Sequence, residues 1–318
     1  MKQKEFFKLV IGNLLVLGFL LAGICGIGEI YCRFFHDSTD SFGLTLGCQR
    51  WFQRHYHFNS TGVRDNIEYK TSGPRNSSCR RITFIGDSFT AGHGVPDVNK
   101  RFANLIRGKK PEWEIHVFAA NGLDTGAEIE MLQKAIASNY QLDTVVLVYC
   151  LNDISDIVPE WDRILSRIYT PNVLEQSWPV RKSFFLNTLY YRSKSLFNPD
   201  TSNYYGFVKE AYEGNLWTRQ QARLKLIRDT YRTNDAKLLV VTFPFLHELG
   251  DHYEYAGVHK QLDAFWAGLG VPHLDLLSTY SGMKNSSLVV NKHDAHPNEK
   301  AHRLAADAIT GFLEKNMD

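Results

Sequence analysis

The sequence has no excess of charge of one sign, few cysteines, and no internal repeat or low-complexity tract. Its 318 residues carry 36 basic and 34 acidic side chains, a formal net charge of +2, and the basic residues are scattered. This distribution lacks the basic surface typical of nucleic-acid-binding proteins, so we expect no nucleic acid among the partners. With 44% hydrophobic residues, the chain is long enough to bury one substantial core.

The five cysteines are too few and too unevenly placed for a disulfide scaffold. Cys48 and Cys79 form the candidate disulfide, because an exported domain can oxidise one pair and this stretch is otherwise weakly patterned. Free thiols at both positions remain an open interpretation, since spacing does not fix pairing. Cys150 follows the apolar run VVLVY, and we expect a buried side chain there rather than a nucleophile.

Charge is also missing from the N-terminal stretch 9–28, in which Asn13 is the only strongly polar side chain. About 20 apolar residues suffice to span a bilayer, and a secretory signal is usually shorter. Lys2, Lys4 and Lys8 precede the stretch. We therefore expect a cytoplasmic tip at 1–8, a single transmembrane signal anchor at 9–28 and the rest of the chain on the extracytoplasmic side. A secreted protein released by signal cleavage is the alternative.

From Arg81 onward, strand-like apolar runs alternate with helical patterns, which is typical of an α/β sheet. Runs such as VVLVY and LLVVTF predict strands buried on both faces, as in a parallel sheet covered by helices. Helical spacing is clearest at 126–138, 216–231 and 298–313. The predicted strands are 81–85, 114–119, 144–149, 237–243 and 273–276.

Two polar segments near the ends of this region carry candidate chemistry. The run IGDSFTAG places Ser88 just after a predicted strand, where a hydroxyl is sterically open. The run KHDAHPNEKAH places Asp294 two residues before His296. A serine needs an imidazole to take its proton, and the imidazole needs an acceptor on its other nitrogen. One Asp-x-His segment can supply both groups.

Two further polar turns, AANGLDTG and YCLNDISD, also follow strand-like runs, so Gly122 and Asn152 fall at strand ends. The carboxyl ends of parallel strands meet at one edge of a sheet, where the ligand crevice of such folds lies. The sequence thus predicts that four distant loops converge. Gly126 is a second candidate glycine in its turn, and we prefer Gly122 because it is closer to the strand end.

In this order, Ser88, Gly122, Asn152 and His296 resemble the four blocks of the SGNH, or GDSL-type, hydrolase superfamily, over roughly Arg80 to Leu313. The resemblance implies a three-layer αβα sandwich with a five-stranded parallel sheet (flavodoxin-like) in a domain at 80–318. It also implies Ser88 as nucleophile, His296 as base and Asp294 as its orienting acid. The oxyanion donors would be the N–H groups of Ser88 and Gly122 and the side chain of Asn152.

The chain departs from the usual blocks in two places. Cys150 stands where the third block often has glycine, and the last block has Asp-x-His where Asp-x-x-His is common. The second departure bears on Asp294 more than on His296.

Two segments lie outside the regular pattern. Residues 29–79 are rich in aromatic and turn residues, and we expect a connecting segment packed on the domain. Residues 154–215 are too long for a simple crossover and predict an insertion, either at the mouth of the site or as an ordinary packed excursion. Its aromatic side chains are candidates for stacking on sugar rings or lining an acyl pocket; they include Trp161, Trp178, Tyr190 and Tyr191.

These features predict a membrane-anchored serine esterase, or an acyltransferase, acting on an O-acetyl or short acyl ester of an envelope carbohydrate without a cofactor. A lipase, lysophospholipase or thioesterase is an alternative, because fold does not fix substrate. A non-catalytic binding or assembly protein is another. A metal site is a third, since His293, Asp294, His296 and His302 lie within ten residues of one another.

Overall fold

The computed structural model describes residues 2–69, 80–198 and 205–317. It begins with one long helix, α1 (Lys2–Ile30), which continues as a short π-helical turn, Tyr31–Phe35. Within the span Lys4–Phe35, the most apolar 18-residue window has a mean hydropathy of 2.4 and is exposed. By length and composition it is able to cross a membrane, as an anchor or as a signal sequence.

The centre of the molecule is a five-stranded, all-parallel sheet with strand order β2-β1-β3-β4-β5. This is the flavodoxin-like order of doubly wound α/β folds. The predicted fold class is confirmed, and each predicted strand is present with ends shifted by a residue at most. The strands are β1 (Arg80–Gly86), β2 (Trp113–Ala119), β3 (Thr144–Cys150), β4 (Lys237–Phe243) and β5 (His273–Asp275).

The sheet is buried because its central strands are apolar on both faces. Every residue of β3 is buried, as are all residues of β1 and β4 after the first. Such continuous burial needs a helical layer on each side. Four helices form these layers: α4 (Phe102–Lys109), α5 (Thr125–Ala137), α10 (Gly214–Thr233) and α13 (Glu299–Asn316). Helix α4 contacts α13 and strand β2, and helix α10 contacts α5 and strand β4.

Shorter helices connect these elements. Helix α2 (Leu46–His55) follows the apolar helix, and α3 (Ser88–Ala91) follows β1 directly. Between β3 and α10 lie α6 (Trp161–Tyr169), α7 (Trp178–Lys182), α8 (Phe184–Phe197) and α9 (Phe207–Ala211). After β4 come α11 (Ala256–Gly268) and α12 (Leu277–Tyr280), then a hairpin of β6 (Val289–Asn291) and β7 (Asp294–Pro297).

Residues 36–69 contact the sheet domain through buried polar groups. Arg64 is 2% exposed and donates to the carbonyl groups of Gly92 and Val95, just beyond α3. Asp65 accepts hydrogen bonds from Arg101 and Arg107 of α4 and its flank. Because a buried charge is retained only when paired, these contacts fix the segment on the domain.

The candidate disulfide is only half within the described residues. Cys48 is a buried free thiol in α2 whose Sγ lies 3.9 Å from the Asp40 carbonyl oxygen, and burial raises the pKa of this thiol. Cys79 lies outside the described residues, so the pairing stays a prediction.

Candidate active site

Ser88 is the first residue of α3, directly beyond the carboxyl end of β1. The turn into the helix is tight: a Cβ added at Gly86 would lie 2.6 Å from the Val148 carbonyl oxygen of the neighbouring strand. Asp87 caps the helix, because its Oδ1 accepts the N–H of Phe89 at 2.8 Å. Strand, glycine turn and cap together place the Ser88 hydroxyl at the carboxyl edge of the sheet.

His296 lies in β7 and is held by the elements on both sides. On its C-terminal side, Asn298 caps α13 by accepting the N–H groups of Lys300 and Ala301, each at 3.0 Å. On its N-terminal side, Asp294 Oδ1 is 2.6 Å from His296 Nδ1 and also accepts the His296 backbone N–H at 3.1 Å. These hydrogen bonds hold the His296 ring in position through its Nδ1 atom and its backbone.

The other ring nitrogen, His296 Nε2, is 2.8 Å from Ser88 Oγ. The structure thus brings together three residues from opposite ends of the domain, in the order hydroxyl, imidazole and carboxylate. This is the geometry in which an imidazole can take a serine proton while a carboxylate stabilises the resulting cation.

The charges of this relay follow from burial and from its neighbours. Burial lowers the pKa of His296, and the adjacent His93 lowers it further, against the opposite effect of Asp294. Burial alone would raise the pKa of Asp294, but His296 and His93 hold it well below its usual value. The imidazole is therefore neutral and the carboxylate charged near neutral pH, which is the state a general base requires.

Two side chains that the sequence analysis missed also contact Asp294. Thr39 Oγ1 donates to Asp294 Oδ2, and His93 Nε2 is 3.4 Å from the same oxygen. The His93 ring stacks on His296 with 4.0 Å between centroids. A weak signal existed for His93, which lies five residues after Ser88 between two glycines of positive φ. Thr39 comes from the segment after the apolar helix and has no local signal.

The same segment continues along the hairpin that carries His296. Ser41 donates its N–H to the His293 carbonyl at 3.0 Å, and its Oγ accepts the N–H of Ala295 at 3.0 Å. Asn291 donates to the Thr39 carbonyl at 3.0 Å. Residues 38–41 therefore pack along the hairpin that carries Asp294 and His296, although they lie more than 250 positions away in sequence.

Gly122 and Asn152 line the same cavity as Ser88 and His296. Gly122 has φ +76°, a conformation that favours glycine. Asn152 follows β3, and its Oδ1 is buried without a partner among the described residues. Gly126 is elsewhere, in α5, where an added Cβ would lie 2.5 Å from Asp156 Oδ2. Of the two glycines considered from the sequence, the cavity contains Gly122.

The cavity has a volume of about 240 Å³ and aromatic walls. Tyr169 and Tyr205 come from the region between β3 and α10, but none of the four aromatic residues singled out from the sequence lines it. Trp161 is buried against Phe207, and Trp178 is 75% exposed. Tyr190 and Tyr191 bond to Glu175. The remaining lining residues are Ser41, Phe42, Gly43, Phe52, Asp87, Ser88, Phe89, His93, Asn121, Gly122, Asn152 and His296.

A second group of buried carboxyl side chains comprises Asp87, Glu128 and Asp153. Burial raises the pKa of Asp87 to about 7. Burial and the neighbouring carboxyl groups raise the pKa values of Glu128 and Asp153 well above their usual range. Asp153 Oδ2 accepts the N–H of Cys150 at 2.7 Å, and burial raises the pKa of the Cys150 thiol, so this cysteine is not a nucleophile.

The possible metal ligands that the structure brings together differ from those predicted from the sequence. His93, Asp294 and His296 offer ligand atoms within 4.8 Å of one another, whereas His302 is buried in α13 with its Nδ1 accepting the N–H of Phe102. A ligand histidine needs a free ring nitrogen. Both ring nitrogens of His296 are already engaged, by Asp294 and Ser88, so the arrangement fits the proton relay better than a metal.

No family model matches the chain, and no curated protein matches its sequence. Solved structures are similar to it. A lipolytic protein of the G-D-S-L family from Veillonella parvula DSM 2008 has TM-score 0.47 and 13% identity over 74% of this chain and 100% of that one. TesA has TM-score 0.46 and 14% identity over 74% and 99%. The acetyl xylan esterase AlAXEase has TM-score 0.45 and 12% identity over 73% and 98%.

At these identities the similarity concerns the fold alone. The parallel sheet order and the convergence of the four blocks at its carboxyl edge are those implied by the resemblance to SGNH, or GDSL-type, hydrolases. The fold class that the resemblance implies is therefore confirmed by the sheet of this chain.

Proposed function

We propose that the protein is a serine esterase that works through an acyl-Ser88 intermediate. The observation that carries this proposal is the position of His296, with one ring nitrogen 2.8 Å from Ser88 Oγ and the other 2.6 Å from Asp294 Oδ1. A serine hydroxyl is a weak nucleophile without such a base.

In the first half of the reaction, Ser88 Oγ attacks the ester carbonyl carbon while His296 Nε2 takes its proton. The negative charge on the carbonyl oxygen is stabilised by the N–H groups of Ser88 and Gly122 and by the Asn152 amide. The tetrahedral intermediate then expels the alcohol, which receives the proton from His296. Asp294 stays ionised and stabilises the imidazolium throughout.

In the second half, an acceptor hydroxyl attacks the acyl carbon and gives its proton to His296. Ser88 leaves with that proton when the intermediate collapses. With water as acceptor the reaction is hydrolysis, and with a sugar hydroxyl it is acyl transfer.

The size and walls of the cavity favour a short acyl group on a carbohydrate. A volume of about 240 Å³ lies below the range typical of pockets for larger organic ligands, so it suits a short acyl group; a cavity of about 700 Å³ that shares Ser41, Phe42 and Tyr205 with it has room for the rest of the substrate. The rings of Phe42, Tyr169 and Tyr205 offer faces for a sugar. We therefore favour an O-acetyl or short acyl ester of an envelope glycan over a lipase or thioesterase substrate.

We also propose that α1 is retained as a single-pass anchor, with the domain on the extracytoplasmic side. The end of α1 and the π-helical turn after it are bonded into the fold: Glu29 accepts hydrogen bonds from Ser183 and from the Phe185 N–H, and Arg33 donates to the Lys182 carbonyl. Cleavage beyond Arg33 would leave these partners unpaired.

Turnover of small acetyl esters by the full chain tests the mechanism. Ser88→Ala should lower kcat by a factor on the order of 10⁶ and abolish covalent labelling by a fluorophosphonate. Wild-type activity should survive exhaustive chelation. If Ser88→Ala hydrolyses the ester as fast as the wild type, the acyl-serine mechanism is wrong. If the wild type neither reacts with the fluorophosphonate nor hydrolyses any ester, the result favours a binding protein.

A further inference from the structure

Exposed apolar side chains are concentrated in one part of the molecule beyond the apolar helix. Among the described residues after Phe35, ten large apolar side chains are exposed, and seven of them lie within 169–197. Trp178 is 75% exposed, Leu196 70% and Phe197 85%. A concentration of large exposed apolar side chains in one segment points to an interaction site.

This region is attached to the end of the apolar helix α1. The Phe185 ring packs on Gly28, where an added Cβ would lie 2.6 Å from the ring. The Glu29 carboxylate accepts the Ser183 hydroxyl at 2.7 Å and the Phe185 N–H at 3.0 Å. Helix α8 therefore begins at the level where α1 ends.

The exposed leucines of α8 lie on the face that contacts α1. Leu189 follows Phe185 by four residues and Leu196 follows Leu189 by seven, so the three side chains share one side of the helix. Since Phe185 packs against Gly28 of α1, Leu189 and Leu196 lie on the side of α8 that begins at the anchor. We call Trp178, Leu189, Leu196 and Phe197 the apolar face.

The residues beside the apolar face match the chemistry of a bilayer surface. Tryptophan is enriched where hydrocarbon meets headgroups. Arg181 and Lys182, both exposed, lie between Trp178 and the start of α8. Basic side chains in this position attract anionic lipid headgroups.

We propose that the apolar face lies in the interfacial layer of the same bilayer that α1 spans, with Arg181 and Lys182 on anionic phospholipid headgroups. The proposal depends on α1 being a retained anchor, as argued above. It does not depend on catalysis, so the Ser88→Ala variant should bind the bilayer as the wild type does. The alternative occupant of the apolar face is a second copy of the chain.

Tryptophan fluorescence in nanodiscs that contain bromine-labelled phospholipids tests the proposal. The full chain has six tryptophans, and Trp178 is the one on the apolar face. We expect lipid quenching of the wild type to be largely lost in Trp178→Phe. Trp113→Phe is the matched control, because Trp113 is partly buried at the start of β2, and it should leave the quenching unchanged. Equal quenching of wild type and Trp178→Phe would overturn the proposal.

Two further measurements separate lipid from self-association. Nanodiscs that each contain one copy of the chain should show the full lipid quenching of Trp178. If Trp178 is quenched or protected from solvent only when a disc contains two copies, the apolar face binds a second copy and the proposal is overturned. Quenching should also be stronger with phosphatidylglycerol than with phosphatidylcholine alone, and Arg181→Gln combined with Lys182→Gln should remove that difference.

Discussion

Asp294 and Asp87 both lie close to the Ser88–His296 pair and are each 1% exposed, but their pKa values are shifted in opposite directions. Asp294 has partners from three separate parts of the chain, Thr39, His93 and His296, and its pKa is well below the usual value. Asp87 accepts the Phe89 N–H and lies 3.4 Å from Ser88 Oγ, and burial raises its pKa to about 7.

The comparison shows that depth of burial does not decide the charge of a carboxyl group in this site. The imidazoles of His296 and His93 keep Asp294 ionised, whereas the backbone and hydroxyl donors around Asp87 do not offset its burial. Under the proposed mechanism the first arrangement supports proton transfer, while Asp87 caps the helix that begins at Ser88.

The largest expected difference between Asp294 and Asp87 is in their effect on kcat. Asp294→Asn removes the carboxylate that orients His296 and stabilises its cation, so kcat should fall on the order of 10⁴-fold. Asp87→Asn is the matched control, since an amide oxygen can still cap α3, and it should change kcat little. Steady-state kinetics on an acetyl ester decide this; a loss in Asp87→Asn as large as in Asp294→Asn would make the two carboxyl groups equivalent.

A smaller effect is expected at Thr39, which we expect to be a positioning residue acting through Asp294. Thr39→Val removes one hydrogen bond to a charged group, and kcat/KM should fall about tenfold. With the donor gone, more of the carboxylate charge acts on His296, so the acid limb of the pH profile should move up from its wild-type position below pH 6.5.

Two variants control for simple loss of packing at Thr39. Thr39→Ser keeps the hydroxyl and should restore both the rate and the pH profile. Thr83→Val removes another buried hydroxyl, which bonds to Tyr140 at 3.0 Å within the sheet, and should leave the profile in place. An unchanged pH profile in Thr39→Val would assign Thr39 a structural role only.

The smallest effect is on stability, and it depends on pH. The pKa of Asp87 is raised from 3.8 to about 7 on folding, so its contribution is fully present below pH 3.8 and is lost as pH rises through about 7. Asparagine does not titrate. The difference in Tm between Asp87→Asn and the wild type should therefore shift in favour of Asp87→Asn as the pH rises from 4 to 8. The exposed Asp162→Asn is the control, and a difference that does not grow with pH would contradict the assignment.

Much of this site could be predicted from the sequence because each part follows a strand. Ser88, Gly122 and Asn152 come directly after predicted strands, and parallel strands bring their carboxyl ends to one edge. Asp294 and His296 are two residues apart, so their hydrogen bond is a local property. The strands themselves were predictable because burial on both faces leaves an uninterrupted apolar run.

The walls of the site could not be predicted in the same way. Thr39 reaches Asp294, and Tyr169 reaches the cavity, through the path of irregular segments, which no periodic pattern records. Trp161, one of the aromatic candidates, does not line the cavity because it packs on Phe207. Aromatic content indicated that these segments pack on the domain, but not which side chain would face the serine.

The short stretch between the apolar helix and the site limits where the protein can work. Thr39 follows Phe35 by four residues, which span at most about 14 Å. With α1 in the bilayer, the reacting serine cannot be carried out toward distant layers of the envelope as it would be on a long flexible stalk. Under the proposed esterase function, an ester must therefore lie close to the lipid surface to reach Ser88.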